Sequence, residues 1–434
     1  MRQKYVALAA IIIIVLAGAV YAFSVPGLIV PLQERELKVG FAYALTGAAS
    51  VLGVPGKAAI QIAVDDINQA GGIVAGNQRY KITPVIEDTR GSPADAVNIA
   101  TRMIQQDGIK FVLDGGFSGA NFAVSPLFVD KKLDGIVFFS ASDPGVTDGK
   151  RAFRVQFSYH TQDPLQADFF ISQGAKKIAA IGYKGHTEFQ YSVETFLPKT
   201  LKERGADFIG VEFVTPGTKD FAPILGKFQR AGMDGLMCHC FHTDEFVVIS
   251  QMKDLGLWGK VVYLGHGQAD PTSWKPVVGG DFSKISGAYA ALPPPVEIRA
   301  QTNQKAKEYM DKFIARNPQD FSRLPYADMQ HNTVLVLAAA IKKAGTIDDV
   351  EKVAQALREL TPADVPGLTI NFIPQNGRLF DKAGQAYPEL IIGKYNADGT
   401  MTTVLKLSDK PQYAKPVVDL LQEYGLPVPE AWRK

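Results

Sequence analysis

The sequence has 434 residues, which is enough for two ordinary domains. Its composition, 46% hydrophobic and 21% charged, is typical of a globular protein with buried cores. The sequence has 46 Lys and Arg residues and 44 Asp and Glu residues. Arg2 and Lys4 lie in an N-terminal segment without acids, so the rest of the chain carries 44 charges of each sign. A neutral chain lacks the concentrated basic surface that nucleic acid requires, so nucleic acid is excluded as the main partner.

The N-terminus has the pattern of a targeting segment. An apolar run over residues 5–22 follows Arg2 and Lys4, and Val20-Tyr21-Ala22 offers a small-residue cleavage site. The sequence therefore predicts a signal peptide over residues 1–22 and export from the cytoplasm. The apolar character continues to Leu32, long enough to span a bilayer, so an uncleaved anchor is the alternative.

Two cysteines, Cys238 and Cys240, lie within an apolar strand signal. At this spacing their side chains share a face of the strand, but their Cβ atoms are too far apart for an unstrained disulfide. The fold is therefore not expected to depend on disulfides, and thiols in such a strand are usually inert.

Strand and helix signals alternate from residue 38 onward. Strands are predicted at 38–44, 80–88, 110–114 and 135–140, and helices at 52–70, at 121–131 and from Ser92-Pro93. Ser92 suits a helix N-cap, and Pro93 suits the first helical position. This alternation predicts right-handed βαβ units and a parallel sheet with helices on both faces.

The alternation begins again at Asp163-Pro164, which opens a helix. Strands are predicted at 177–183, 207–214, 235–240 and 260–264, and helices at 189–204, 221–231 and 245–255. A second α/β unit is therefore expected. Pro293-Pro294-Pro295 interrupts the pattern, and helices at 302–316, 329–344 and 347–360 follow. Near the end, Asn376-Gly377 and Asp398-Gly399 are typical of hairpin turns.

Short segments in a fixed order carry a family resemblance. The most specific is residues 63–73, Ala-Val-Asp-Asp-Ile-Asn-Gln-Ala-Gly-Gly-Ile. The others are Lys38-Val39-Gly40, Leu45-Thr46-Gly47, Gly53, Glu87-Asp88-Thr89, Pro93 with Ala96, Phe111-Val112, residues 140–144, Phe153-Arg154, Thr215-Pro216-Gly217 and Lys219-Asp220-Phe221. Over about residues 38–405, the chain resembles the branched-chain amino acid-binding protein family, the type I periplasmic solute-binding proteins of ABC transporters.

The resemblance implies two Rossmann-like lobes with parallel sheets, joined by three hinge crossings and closing on a ligand in the cleft. Crossings are expected near residues 155–160, 288–293 and 362–368. The first lobe would then comprise residues 38–155 and 293–362, and the second 156–292 and 363–405. Residues 406–434 would form a C-terminal tail.

Two loops of the first lobe suit ligand binding, since ligands of open α/β sheets bind beyond the carboxyl ends of the strands. Ser118 follows a glycine-rich turn after the strand at 110–114, and Ser140-Ala141-Ser142 follows the strand at 135–140. Ordinary turn chemistry is the alternative interpretation. By resemblance, Ser118 binds a ligand carboxylate, Ser140, Ala141 and Ser142 contact its carboxylate and amine, and Leu52 occupies the position of an aromatic wall.

The second lobe departs from the amino-acid-binding members. Thr187, Phe241 and His242 align with aromatic positions, and Gly267, beside His266, aligns with the acid that pairs with a ligand ammonium. A buried ammonium without a counter-charge is unfavourable. The sequence therefore predicts a carboxylate ligand without an α-ammonium, unless Glu188 or Asp244 replaces the missing acid.

His186, His242 and His266 follow strand ends of the second lobe. They could contact an anionic or polar ligand, coordinate a metal ion or simply pack. In the segment from Cys238 to His242, strand alternation places His239 on the opposite face, so no four ligands converge locally. No metal ion and no cofactor are predicted.

Enzyme motifs such as Gly-x-Ser-x-Gly, a phosphate-binding loop or His-Glu-x-x-His do not occur in the sequence. The resemblance implies a monomeric periplasmic protein that delivers a small molecule to the membrane subunits of an ABC transporter. The alternative is a sensory or regulatory module of the same fold. Only 29 residues follow residue 405, which favours transport over a fused signalling domain.

Overall fold

The computed structural model describes residues 32–47, 49–115, 118–140, 145–184, 186–265, 271–317 and 324–430. The predicted leader, residues 1–22, lies outside this part of the chain. No helix among the described residues is long and apolar enough to cross a membrane. The strands of the described residues form one six-stranded and one seven-stranded sheet.

The first sheet has the order β2-β3-β1-β4-β5-β6, and the second has the order β13-β12-β11-β10-β9-β7-β8. In chain order, the strands are β1 (Gln33–Tyr43), β2 (Ile73–Ala75), β3 (Gln78–Asp88), β4 (Phe111–Gly115), β5 (Ile136–Phe139), β6 (Ala152–Arg154), β7 (Lys177–Tyr183), β8 (Asp207–Val214), β9 (Gly235–His239), β10 (Val261–Leu264), β11 (Tyr289–Leu292), β12 (Ile391–Tyr395) and β13 (Met401–Lys406).

The α-helices alternate with these strands. In chain order, they are α1 (Ser50–Gln69), α2 (Pro93–Gln105), α3 (Ser118–Val129), α4 (Tyr159–Ser172), α5 (Thr187–Tyr191), α6 (Leu197–Glu203), α7 (Ala222–Arg230), α8 (His242–Asp254), α9 (Pro271–Val278), α10 (Val296–Arg299), α11 (Gln304–Arg316), α12 (Leu324–Ala344), α13 (Val350–Glu359) and α14 (Val417–Glu423). A π-helical segment, Ser192–Phe196, joins α5 to α6.

Most strand pairs are parallel, as expected from the strand–helix alternation. The antiparallel exceptions are β2 with β3 and the run from β11 through β12 to β13. β12 and β13 form a hairpin around Asp398-Gly399, a predicted turn. At the other predicted turn, Asn376 and Gly377 have φ values of 50° and 79°, and Gln375 pairs with Arg378 across it.

Helices cover both faces of each sheet, because each face is apolar. α1, α12 and α13 pack on one face of the first sheet, and α2 and α3 on the other. α7, α8 and α9 pack on one face of the second sheet, and α4, α5 and α6 on the other. The predicted cap of α2 is present, since the Ser92 hydroxyl accepts the Asp95 N–H at 3.3 Å. The prediction of two α/β lobes is confirmed.

The chain passes between the two cores three times. The first passage follows β6, and the second follows β11 at Pro293-Pro294-Pro295, as expected. The third extends beyond the predicted 362–368. Ile370 and Phe380 pack into the core of the first sheet, whereas Ile373, Tyr387 and Leu390 pack against that of the second. The chain therefore passes from one core to the other over residues 369–387.

Part of the expected C-terminal tail belongs to the second core. Leu407 and Tyr413 are buried with residues of α4 and β7, and Leu420 of α14 is buried against Phe196. These apolar side chains gain stability by leaving water, which explains why the segment folds back. Residues 407–428 are therefore a packed element of the second lobe.

A buried arginine, Arg299, fixes the second and third passages. Its Nε donates to the Pro294 carbonyl at 2.6 Å, and its Nη1 donates to the Thr369 carbonyl. Its Nη2 lies 2.5 Å from Oδ2 of Asp328, which is fully buried in α12. One guanidinium thus joins two connecting segments to a helix of the first lobe.

Replacing Arg299 by Met should lower the stability of the ligand-free protein by about 3–5 kcal/mol, because Asp328 would lose the partner of its buried charge. The control is Lys305→Met, which breaks the exposed pair of Lys305 with Glu308 and should change stability by about 0.5 kcal/mol or less. Denaturant unfolding measures both. Equal losses in the two variants would contradict this role of Arg299.

Burial of Asp163, in α4, predicts a pH dependence of stability. Burial raises the pKa of its carboxyl from 3.8 to about 8, opposed by the hydrogen bond that the Ser192 hydroxyl donates at 2.6 Å. Between these values the folded state keeps a proton that the unfolded state releases, so stability falls as the pH rises from about 4 to 8. His160 in the same helix has a pKa of about 3, lowered by burial, so it stays neutral in the folded state while the unfolded state gains its proton below about pH 6.5. This opposite contribution is common to the unmodified protein and any Asp163 variant, so a comparison of the two isolates Asp163.

Asp163→Asn removes this ionisation and keeps an oxygen that can accept from Ser192. The variant should unfold at a higher temperature than the unmodified protein near pH 7.5, and the difference should shrink to nothing near pH 4. Thermal unfolding across this pH range is the measurement. A difference that is constant with pH, or that grows toward pH 4, would show that Asp163 is charged in the folded state.

Candidate functional site in the interlobe cleft

The candidate site lies where the carboxyl ends of strands from both sheets meet. Ser118 begins α3 after β4 of the first sheet. Thr187 begins α5 after β7 of the second sheet, and His242 begins α8 after β9. α3 and α5 are in contact, so the site residues at their N-terminal ends come from different lobes.

Ser118 connects the two lobes directly. Its hydroxyl donates a hydrogen bond of 2.8 Å to Oε2 of Glu188, and each side chain is only 7% exposed. The serine expected to hold a ligand carboxylate therefore holds a carboxylate of the protein in this structure. Helix N-termini favour such negative groups, because the backbone N–H groups there lack intrahelical partners.

Of the other site residues predicted in the first lobe, the structure describes Ser140 and Leu52. Ser140 is buried directly after β5, where its hydroxyl donates to the Asp114 carbonyl at 3.1 Å. This bond ties the end of β5 to the end of β4. Leu52 is half-buried in the first turn of α1. Ala141 and Ser142 lie outside the described residues.

The structure separates the expected pair Phe241 and His242. Phe241 is half-buried, with its ring 5.1 Å from that of Tyr183 and 6.3 Å from that of His186. His242 is buried, with Nε2 2.7 Å from the Ser273 hydroxyl and its ring 4.7 Å from Trp274. Of this pair, only Phe241 therefore has its ring near that of His186. His266, Gly267 and the side chain of Thr187 lie outside the described part.

Of the two acids considered as counter-charges, Asp244 has a structural role. Its Oδ2 accepts hydrogen bonds from the Tyr183 hydroxyl at 2.8 Å and from the Gly217 N–H at 2.7 Å. These bonds connect the end of β7, the loop after β8 and the start of α8. Glu188 is therefore the acid that faces the first lobe.

His186, Glu188 and His239 form a cluster that the sequence does not reveal. A ring nitrogen of each histidine and a carboxylate oxygen of Glu188 all lie within 4.8 Å of one another. His239 is the last residue of β9 and is 3% exposed. Its ring stacks on that of Phe189, with centroids 4.7 Å apart and planes 8° apart.

The environment keeps the His239 ring neutral. Burial holds the pKa of His239 well below its usual value, and the neighbouring His186 lowers it further. A hydrogen bond with the Gly265 backbone opposes this fall. Because that bond favours the protonated form, the ring N–H is its donor and the carbonyl its acceptor.

The fold and cleft define a class of proteins: two α/β lobes, joined by three passages, that enclose a small site lined by both. Residues 36–387 match the family model described as "Periplasmic binding protein". The chain belongs to this family, and the resemblance drawn from its sequence is confirmed.

Two curated relatives cover most of the chain. A leucine-, isoleucine-, valine-, threonine- and alanine-binding protein of Pseudomonas aeruginosa is 28% identical over 379 residues, which are 85% of this chain and 92% of the relative. A Leu/Ile/Val-binding protein homologue of Brucella melitensis is 27% identical over 342 residues, 78% of this chain and 87% of the relative. These relatives are binding proteins rather than enzymes, in agreement with the sequence.

Solved structures share the fold. A branched-chain amino acid ABC transporter protein of Thermus thermophilus with bound valine has a TM-score of 0.71 at 17% identity, covering 86% of this chain and 97% of the other. An ABC transporter solute-binding protein of Rhodopseudomonas palustris in complex with p-hydroxybenzoic acid has a TM-score of 0.70 at 16% identity, with the same coverage.

Proposed function

We propose that the protein is a periplasmic solute-binding protein of an ABC importer and that it captures a small carboxylate-bearing molecule by closure of its lobes. The observation that carries this proposal is the bond from Ser118 to Glu188. A hydroxyl at the start of α3 faces the opposite lobe and is paired with a carboxylate there. The same donor suits a ligand carboxylate when the lobes separate and then close on it.

The family and the predicted signal peptide support the periplasmic location, and the transporter relatives support ABC membrane subunits as partners. A sensory module of the same fold is the alternative. It would bind the same ligand but would pass the closed state to a different partner. Ligand identity is therefore the first question for either function.

The charge of Glu188 bears on the ligand. The prediction of an acid without an ammonium depended on Gly267, and Asp244 is engaged in hydrogen bonds, but Glu188 supplies a negative charge in the cleft. An amino acid would pair its ammonium with Glu188. A simple acid would need a cation from elsewhere, since two adjacent carboxylates repel each other.

The ligands named for related proteins span both classes. The Pseudomonas aeruginosa relative is named for aliphatic amino acids, and the Rhodopseudomonas palustris structure contains an aromatic acid. Both classes carry a carboxylate. We therefore propose the carboxylate as the shared feature and treat the ammonium as the variable that experiment decides.

A thermal-shift screen with EDTA tests this proposal, because a ligand that binds only the folded state raises its unfolding temperature with concentration. Matched pairs isolate each group: leucine with 4-methylpentanoic acid, phenylalanine with 3-phenylpropanoic acid, and leucinamide as the amine without a carboxylate. At least one carboxylate should stabilise the protein, and leucinamide should not. Stabilisation by leucinamide or a neutral sugar, with none by any carboxylate, would refute the proposal.

Ser118→Ala should weaken binding of the best carboxylate by about 1–3 kcal/mol, since a charged acceptor loses a hydrogen bond. The control is Ser125→Ala on the same helix, where an equally buried hydroxyl donates to the Val146 carbonyl at 2.8 Å within the first lobe. Calorimetry compares the two. Equal affinities in both variants, with both folded, would remove Ser118 from the site.

A further inference from the structure

His186, Glu188 and His239 offer the donor set of a transition-metal site. Two imidazoles and one carboxylate bind zinc in many proteins, and the remaining positions are then left to water or a ligand. All three side chains belong to the second lobe, on β9 and on the loop and helix after β7. The set therefore comes from one lobe alone.

The distances are compatible with one ion. Two donors on a tetrahedral zinc ion lie about 3.4 Å apart, since each bond is about 2.1 Å long. The three donor atoms lie within 4.8 Å of one another, so side-chain shifts of about 1 Å bring them to this geometry. His186 is half-buried, so the cluster is not fully closed to solvent.

Two further contacts have the form of supporting bonds around a metal site. Metal-bound histidines usually donate their second N–H to a carbonyl or carboxylate, and His239 donates to the Gly265 carbonyl. Carboxylates bound to a metal ion are themselves hydrogen bonded, and Glu188 accepts a hydrogen bond from the Ser118 hydroxyl. A carboxylate has two oxygens, so Glu188 can accept from Ser118 with one and bind a metal ion with the other.

The proposed carboxylate ligand gives a second reason for a cation here. Glu188 is buried opposite the serine that we propose as the carboxylate anchor, and a ligand carboxylate at that serine would meet a like charge. A dication held by one carboxylate and two neutral imidazoles has a net charge of +1. It would turn a repulsive position into an attractive one for an acid.

We propose that His186, Glu188 and His239 bind a divalent first-row transition-metal ion, and that its open positions accept the carboxylate of the cleft's ligand. The first half of this proposal, the metal site, is argued from the cluster alone. The second half, the binding of a ligand carboxylate to the ion, rests on the proposed function. Imidazole donors favour Zn²⁺, Ni²⁺ and Cu²⁺, whereas Mg²⁺ and Ca²⁺ prefer oxygen donors. The ligand would then be an organic acid held jointly by the ion and Ser118.

Zn²⁺ alone tests the first half, by calorimetry on the full protein purified without a polyhistidine tag and stripped with EDTA. One ion should bind per chain, and Mg²⁺ and Ca²⁺ should not compete. Glu188→Gln and His186→Gln should each weaken Zn²⁺ at least tenfold. The matched control, Glu194→Gln, changes an exposed acid six residues further on and should leave affinity unchanged. X-ray absorption should report two imidazole ligands, and one in His186→Gln.

His239→Gln should also weaken Zn²⁺, but its burial against Phe189 means that the variant could fold poorly, so Glu188→Gln and His186→Gln decide the question. Unfolding temperatures establish that these variants are folded. Absence of one-to-one Zn²⁺ binding, or binding that all folded variants retain, would overturn the metal site.

Repeating the acid screen with Zn²⁺ in place of EDTA separates this inference from the proposed function. Stabilisation by 4-methylpentanoic or 3-phenylpropanoic acid that is stronger with Zn²⁺ than in EDTA supports both. Stabilisation by carboxylates in EDTA, with no Zn²⁺ binding, overturns the metal site and leaves the function standing. Zn²⁺ binding with no response to any carboxylate in either condition overturns the joint ligand and the proposed function, and leaves the metal site.

Discussion

The two-lobed arrangement depends on buried arginines that hydrogen bond to the connecting segments. Arg299 joins the second passage to the third and anchors both to Asp328. Arg154, at the end of β6, donates through Nε to the Gln385 side chain, and its N–H donates to the Gly384 carbonyl at 2.9 Å. Such buried charges require full pairing, so these contacts select one path for each segment.

The connecting segments are also bonded to one another. The first and third passages run side by side, since Gln385 also donates to the Gln156 carbonyl at 2.7 Å. Across the cleft, the hydrogen bond from Ser118 to Glu188 also joins the lobes. A ligand that binds both sides more strongly when they are close would shift the population toward the closed state.

Much of the fold is encoded in local patterns and could be predicted. Strand–helix alternation specifies two parallel sheets, Ser92 specifies a helix start, and Asn376-Gly377 specifies a turn. The extent of the third passage could not be predicted, because the apolar residues between 370 and 387 carry no signal of which core they contact. The fate of residues 407–428 depends likewise on tertiary packing.

The site was only partly predictable for a similar reason. Ser118 could be placed in the cleft from its position after a strand, before a helix. His239 could not be placed in the cleft from the sequence, because the alternation of side chains within β9 relates it only to its neighbours in the chain. Its position depends on sheet order, in which β9 lies beside β7 and Gly182 pairs with His239. The loop and helix after β7, with His186 and Glu188, therefore fold over His239.

A glycine makes this close approach possible. A Cβ on Gly182 would lie 2.1 Å from the Phe189 ring, so any larger residue would push α5 away from the sheet. With glycine there, Phe189 lies over the ends of β7 and β9 and stacks on His239 at 4.7 Å. Phe189 immediately follows Glu188 and comes three residues after His186. The packing of one aromatic ring on one glycine thus sets the positions of all three polar side chains, and it links the core of the second lobe to the chemistry of the cleft.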